Sequence, residues 1–82
     1  MEGLKMTLED VAMKIELLDD EEIIYCYVED NKIIASFTTR EGVIVEALTP
    51  FEIKQVEQGQ FTEEDIVRKV FELKQIANFK PE

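Results

Sequence analysis

The chain has no histidine, no tryptophan, one cysteine, three glycines and two prolines among its 82 residues. Without histidine it lacks the usual neutral-pH general base, the imidazole metal ligand, and any Ser-His or Cys-His nucleophile pair. Most hydrolase templates fall away, and the expectation is a protein that is not an enzyme and needs no cofactor or metal. A lone Cys26 can form neither an intrachain disulfide nor a thiolate zinc site. A single thiol fits a reducing compartment, so a cytoplasmic location is expected. Neither G-x-x-x-x-G-K-[ST] nor G-x-G-x-x-G occurs, which removes the common phosphate cradles. The opening Met1-Glu2-Gly3-Leu4-Lys5-Met6 meets Glu9 and Asp10 too soon for a signal peptide, and no apolar run reaches the length of a membrane span.

What the chain does have is acid. Nineteen Asp and Glu stand against nine Lys and Arg, a formal charge of −10. Such a field repels phosphate, so neither direct nucleic-acid binding nor docking on an acidic membrane is expected, whereas a basic protein partner suits it. The acidity is uneven: residues 1–31 hold ten acidic and two basic side chains, residues 32–82 nine and seven. At this length a single domain over 1–82 is the natural reading. It would bury only about 60% of its unfolded surface, enough for one modest core.

Leu8, Val11, Ala12, Ile15 and Leu18 recur at helical spacing, with Thr7 as N-cap, Asp10 at the capping-box position and Met6 with Val11 as a hydrophobic staple. A helix over about 8–18 follows, stopped by Asp19-Asp20-Glu21-Glu22, whose charges oppose the dipole at a C-terminus. The residues then become β-branched and aromatic on both sides of Asp30-Asn31, the pattern of a two-residue hairpin. Pairing outward sets Glu29 opposite Lys32 as an ion pair, then Val28 opposite Ile33, Cys26 opposite Ala35 and Ile24 opposite Phe37. Gly42 fits the left-handed position of a second turn over 39–42, and a third strand over 43–48 would set Val45 opposite Phe37 and Ala47 opposite Ala35. Thr49-Pro50-Phe51-Glu52 opens a short helix with Leu48 and Ile53 as its staple and Gly59 as its stop. Thr62 opens the last helix, with Phe61 and Ile66 as staple, a buried stripe of Ile66, Val70, Leu73 and Ala77, and an end at Lys80-Pro81. Val67, Phe71 and Ile76 widen that stripe beyond what one neighbour requires.

The expected fold is α+β: a three-stranded antiparallel meander with helices packed on one face, in the order α-β-β-β-α-α. Its inner face is Ile24, Cys26, Val28, Ile33, Ala35, Phe37, Val43, Val45 and Ala47, which makes Cys26 a core residue. The same register sends Ile23, Tyr25, Tyr27, Ile34, Ile44 and Leu48 to the outer face, interrupted only by Ser36, Thr38 and Glu46. Solvated sheet faces are normally polar, so this group is the leading candidate interface. It points to a small protein-interaction module, a homodimer or a binder of another protein through the outer face or an edge of the sheet. Alternatively, a helix crosses to cover that face.

A second candidate surface is the acidic group Asp19, Asp20, Glu21, Glu22, Glu29 and Asp30. As a phosphate-like array it would occupy the basic groove of a DNA-binding protein or nuclease, in the manner of small phage-type DNA-mimic inhibitors, which share this size and sign. As a solvated face it would only maintain solubility. Consecutive carboxylates lack the alternating spacing and central glycine of a calcium loop.

The segment from Leu48-Thr49-Pro50 through Gly59 to Thr62-Glu63-Glu64-Asp65-Ile66 resembles the strand-then-two-helices end of small winged-helix modules, some of which recognise leader peptides. That resemblance implies a peptide groove between the third strand and the last helix. The span from Leu48 to Gly59 is shorter than in that family, and no peptide-contacting residue is matched. A DNA-reading version is disfavoured because the last helix sets Arg68, Lys69 and Lys74 against Glu63, Glu64, Asp65 and Glu72.

Overall fold

A computed structural model describes residues 6–78, so the helix stop at Lys80-Pro81 and the opening of the chain before Met6 lie outside the described residues. The elements are α1 (Leu8–Leu18), β1 (Ile24–Glu29), β2 (Lys32–Phe37), β3 (Ile44–Glu46), α2 (Pro50–Glu57) and α3 (Glu63–Asn78), the α+β order read from the sequence.

Each helix starts where a threonine and an acidic residue satisfy one another's backbone N–H. Thr7 with Asp10 and Thr49 with Glu52 form reciprocal capping boxes, and Thr62 repeats the arrangement with Asp65. The Thr62 backbone N–H, with help from the Thr62 hydroxyl and Arg68, holds the Asp65 carboxyl below its ordinary pKa against a smaller opposing effect of burial. All three staple pairs are buried or half-buried in the core. At the other end of α2, Gly59 turns left-handed at φ 74°. Its N–H and that of Gln60 return to the carbonyls of Val56 and Gln55, a Schellman stop.

In the first hairpin Asp30 and Asn31 both have positive φ, 54° and 59°, which is the type I′ turn that matches strand twist. The register between β1 and β2 is the expected one, from Glu29 opposite Lys32 to Ile24 opposite Phe37. The ion pair differs: Lys32 Nζ reaches across to Glu46 Oε2 on β3, at 3.5 Å, rather than to Glu29.

β3 departs from expectation in register and length. Val45 lies opposite Ala35, two residues from the predicted pairing with Phe37. The residues between the strands are occupied elsewhere. Thr38 N–H donates to the Ile23 carbonyl at 2.9 Å, while Thr39 and Arg40 donate to the Ala77 and Ile76 carbonyls at the end of α3. The turn therefore widens to 38–42, still closed by left-handed Gly42. A two-residue shift preserves which side chains face which way, because the side-chain period of a strand is two.

The helices cover one face of the sheet. Leu8, Val11, Ala12 and Ile15 of α1, Ile53 and Val56 of α2, and Ile66, Val70, Leu73 and Ala77 of α3 pack on Ile24, Cys26, Ile33, Ala35, Phe37 and Ala47. Val67, Phe71 and Ile76, the residues that widened the stripe of α3, are left outside this core and exposed.

Candidate functional site: the open face of the sheet

Four of the six outer-face residues stand where the alternation puts them. Tyr25 and Ile44 are more than half exposed, at 57% and 56%, and Tyr27 and Ile34 are half-buried beside them. The register makes them contiguous. Tyr27 lies opposite Ile34, and Ser36 separates Tyr25 from Ile44 in the next row. The two tyrosine rings lie 5.8 Å apart, tilted by 38°, so they form one aromatic ridge along β1. Around this group the charged residues are few: Lys32 pairs with Glu46, and exposed Glu29, opposite Lys32 in the register, stands at the end of the same face.

Ile23 and Leu48 do not belong to the face. Both are core residues, 8% and 1% exposed. Ile23 precedes β1 and follows left-handed Glu22, so the chain has not yet entered the alternation of the strand. Leu48 follows β3, where the chain bends toward the Thr49 cap, and its role as staple partner of Ile53 overrides the strand parity.

The edges of the sheet are unequal. β1 is an edge strand. Because Ile23 and Thr38 form a hydrogen-bonded pair, alternation turns the N–H groups of Ile24 and Cys26 away from β2. Side chains of α1 meet them. Asp19 Oδ2 accepts from Ile24 N at 2.5 Å and Glu16 Oε2 accepts from Cys26 N at 2.7 Å. Two carboxylates thus blunt the β1 edge, where another strand would otherwise add. The remaining edge, β3, is only three residues long.

Asp19 is consequently not a surface charge. It is 2% exposed, and its second oxygen lies 3.7 Å from Lys74 Nζ. Lys74 also approaches Asp20 at 3.4 Å and Glu21 at 4.0 Å. Partial burial pulls the Lys74 pKa down, but the Asp20 hydrogen bond and the charges of Glu21, Asp20 and Asp19 outweigh it and hold the pKa above the usual lysine range. The other acidic candidates are exposed but split: Asp20, Glu21 and Glu22 precede β1, and Glu29 and Asp30 stand at its far end. A six-residue strand keeps those groups roughly 20 Å apart.

Cys26 lies in the core as expected. Burial, with the charges of Glu16 and Asp19 adding to it, pushes its thiol up to about 12, which leaves a small hydrophobe and no nucleophile. The hydrogen bonds of Thr39 and Arg40 to the last carbonyls of α3 tie the second turn, not β3 itself, to the end of that helix. Among the described residues no helix is long and apolar enough to cross a membrane.

Sequence reading missed Glu16, Asp19 and Lys74 as a structural group. Glu16 and Asp19 are spaced i, i+3 and so share a flank of α1, but their meaning depends on β1 lying against that flank.

The class defined is thus an α+β domain whose three helices back one side of a meander and whose other side carries an exposed aromatic and aliphatic ridge. Comparison with protein-family models, with curated proteins and with solved structures finds no match to this chain.

Proposed function

We propose that this protein is a small interaction module that self-associates through the outer face of its sheet, with Tyr25, Tyr27, Ile34 and Ile44 at the centre of the contact. The observation that carries this reading is a contiguous apolar ridge on a sheet face that none of the described residues covers, in a chain whose charge is −10. Two copies of so acidic a molecule repel, and the approach that costs least is through a face with little unbalanced charge. The carboxylate-blunted β1 and the shortness of β3 favour the face over an edge.

Magnitudes set the strength. Two strands about 20 Å long and a third about 10 Å long, spaced about 4.8 Å apart, give a face of roughly 240 Å². A stable dimer typically buries about 800 Å² per partner, so the ridge supplies the anchors and the surrounding rim the remainder. The expected dimer is modest in affinity. Size-exclusion chromatography with light scattering should report a dimer that Tyr27→Glu or Ile34→Glu dissociates while far-UV circular dichroism is retained. A wild-type monomer at high concentration would sink the reading.

A further inference from the structure

On the opposite side of the molecule the described residues leave a second apolar surface uncovered. Leu17 and Leu18 of α1 and Val67 of α3, with Lys14, Glu63 and buried Ile66, line a groove of about 170 Å³ between the two helices. Leu17 is 73% exposed and Val67 55%, and Phe71, one turn on from Val67, is 62% exposed. Val67 and Phe71 are part of the excess stripe that the core of this chain does not absorb.

The groove has an electrical boundary. Lys14 bonds to Glu63 at 3.0 Å at one end, and Lys74 lies 3.4 Å from Asp20 at the other. Both lysines are thereby partnered by carboxylates of the chain itself. Exposed Glu63, Asp20 and Glu21 stand at the two ends of the groove against those two lysines; on α3, exposed Glu64 comes three residues before Val67, and Arg68, next to Val67, is paired with Asp65. A second copy of the chain would bring a like-charged rim against this one, which disfavours self-association here.

From this juxtaposition we infer that the α1–α3 groove docks a basic amphipathic helix of a partner protein. Apolar residues of that helix at i, i+3 or i+4, and i+7 rest on Leu17, Leu18, Val67 and Phe71, and its flanking Lys or Arg side chains meet Glu63, Glu64, Asp20 and Glu21. The length fits: Glu63 and Lys74 are eleven positions apart on α3, about 16 Å, which three turns of a docked helix span. The inference stands apart from the sheet-face reading, because the two surfaces share none of these residues.

The test uses a fluorescein-labelled amphipathic Leu/Lys helical peptide, its Leu/Glu counterpart as control, and the full-length protein in fluorescence anisotropy. Wild type should bind the Leu/Lys peptide alone. Leu17→Ser and Val67→Ser replace exposed side chains, so the fold is retained, and each should weaken binding by about tenfold. Tyr27→Ser on the sheet face should leave it unchanged. Equal binding of the Leu/Glu peptide would overturn the inference. So would indifference to Leu17→Ser and Val67→Ser, an equal loss from Tyr27→Ser, or dissociation of a protein dimer by Val67→Ser, which would make the groove a contact between copies.

Discussion

On one side of this molecule Tyr25, Tyr27, Ile34 and Ile44 are exposed or half-buried beside Lys32, which pairs with Glu46 and lies opposite Glu29. On the other, Leu17, Leu18, Val67 and Phe71 stand among carboxylates that outnumber the nearby lysines. Apolar content alone does not separate the two surfaces, since either could anchor a contact. Their charge surroundings do. A face with little unbalanced charge tolerates a second copy of an acidic chain better than an acid-rimmed groove does, and the groove favours a basic occupant. On the two proposed readings, the same net charge directs different partners to the two sides.

The largest effect should come from breaking the junction where α1, the start of β1 and α3 meet. Asp19 holds the end of α1 to β1 and to Lys74 from a buried position. Asp19→Ala strands the Ile24 N–H and removes a buried partner of Lys74, a loss of about 3 kcal/mol. Asp20→Ala, on an exposed neighbour, should shift stability by no more than about 0.5 kcal/mol. Urea unfolding measures both. Hydrogen exchange should locate the damage: in Asp19→Ala the amides of Ile24 and Cys26 and the last turn of α1 lose protection before the Tyr27–Ile34 pairing does.

Next in size is an alkaline weakening. The Cys26 thiol is pushed from 9.0 to about 12 in the fold, mainly by burial. A group whose folded pKa is raised contributes stability that is complete below its unfolded pKa and is lost as pH rises toward the folded one. Between pH 8 and 10.5 the loss is about 2 kcal/mol, read as a falling urea midpoint, and Cys26→Ala should remove that slope. Lys74, also raised, acts in the same direction at the upper end of this window, through the release of its proton beside Asp20, Glu21 and Asp19. If the slope survives in Cys26→Ala and disappears in Lys74→Met, the weakness belongs to the helical junction and not to the layer beneath the sheet.

Salt should then separate the two surfaces by sign. Screening two copies of charge −10 relieves their repulsion, so raising ionic strength leaves the dimer unchanged or tightens it. The basic peptide should leave the groove over the same titration, since its contacts are partly those of opposite charges near water. The protein has two tyrosines and no tryptophan, both on the sheet face, so tyrosine emission and its quenching by acrylamide report dimerisation without a label. Parallel salt responses would mean that the two surfaces are one interaction.

How much of this the chain discloses by itself differs between the same two sides. The sheet face was legible because a hairpin turn and strict alternation fix a register, and Tyr25, Tyr27, Ile34 and Ile44 follow from counting outward from Asp30-Asn31. Counting failed where the strand ended. Ile23 and Leu48 keep the parity of the face, yet each lies one or two residues beyond the ladder, where a left-handed residue or a helix cap redirects the chain. The helical groove was half legible. Val67 and Phe71 were visible as excess on α3, but Leu17 and Leu18 acquire meaning only once α1 and α3 lie side by side. That contact is tertiary, carried by Lys14 with Glu63 and Lys74 with Asp20 across about fifty residues of chain, and no local spacing encodes it. Asp19 was misplaced for the same reason: a carboxylate in an acidic run looks solvated until a strand edge is laid against it.

The smallest effects should fall on the two lysines that trim the charge of each surface. Lys14 neutralises Glu63 at the mouth of the groove, and Lys32 neutralises Glu46 at the margin of the sheet face. Both pairs are solvent-exposed, so Lys14→Gln and Lys32→Gln should leave the urea midpoint nearly where it is. Their binding effects should be opposite and local. Lys14→Gln uncovers a carboxylate beside the docked helix and should tighten the Leu/Lys peptide by about threefold at low salt, with no change in the dimer. Lys32→Gln should leave the peptide alone and weaken the dimer by a similar factor, because Glu46 of each copy then brings an unbalanced charge to the contact. A crossed outcome, in which Lys14→Gln loosens the dimer or Lys32→Gln tightens the peptide, would show that each surface answers to the net charge of the whole molecule and not to its own rim.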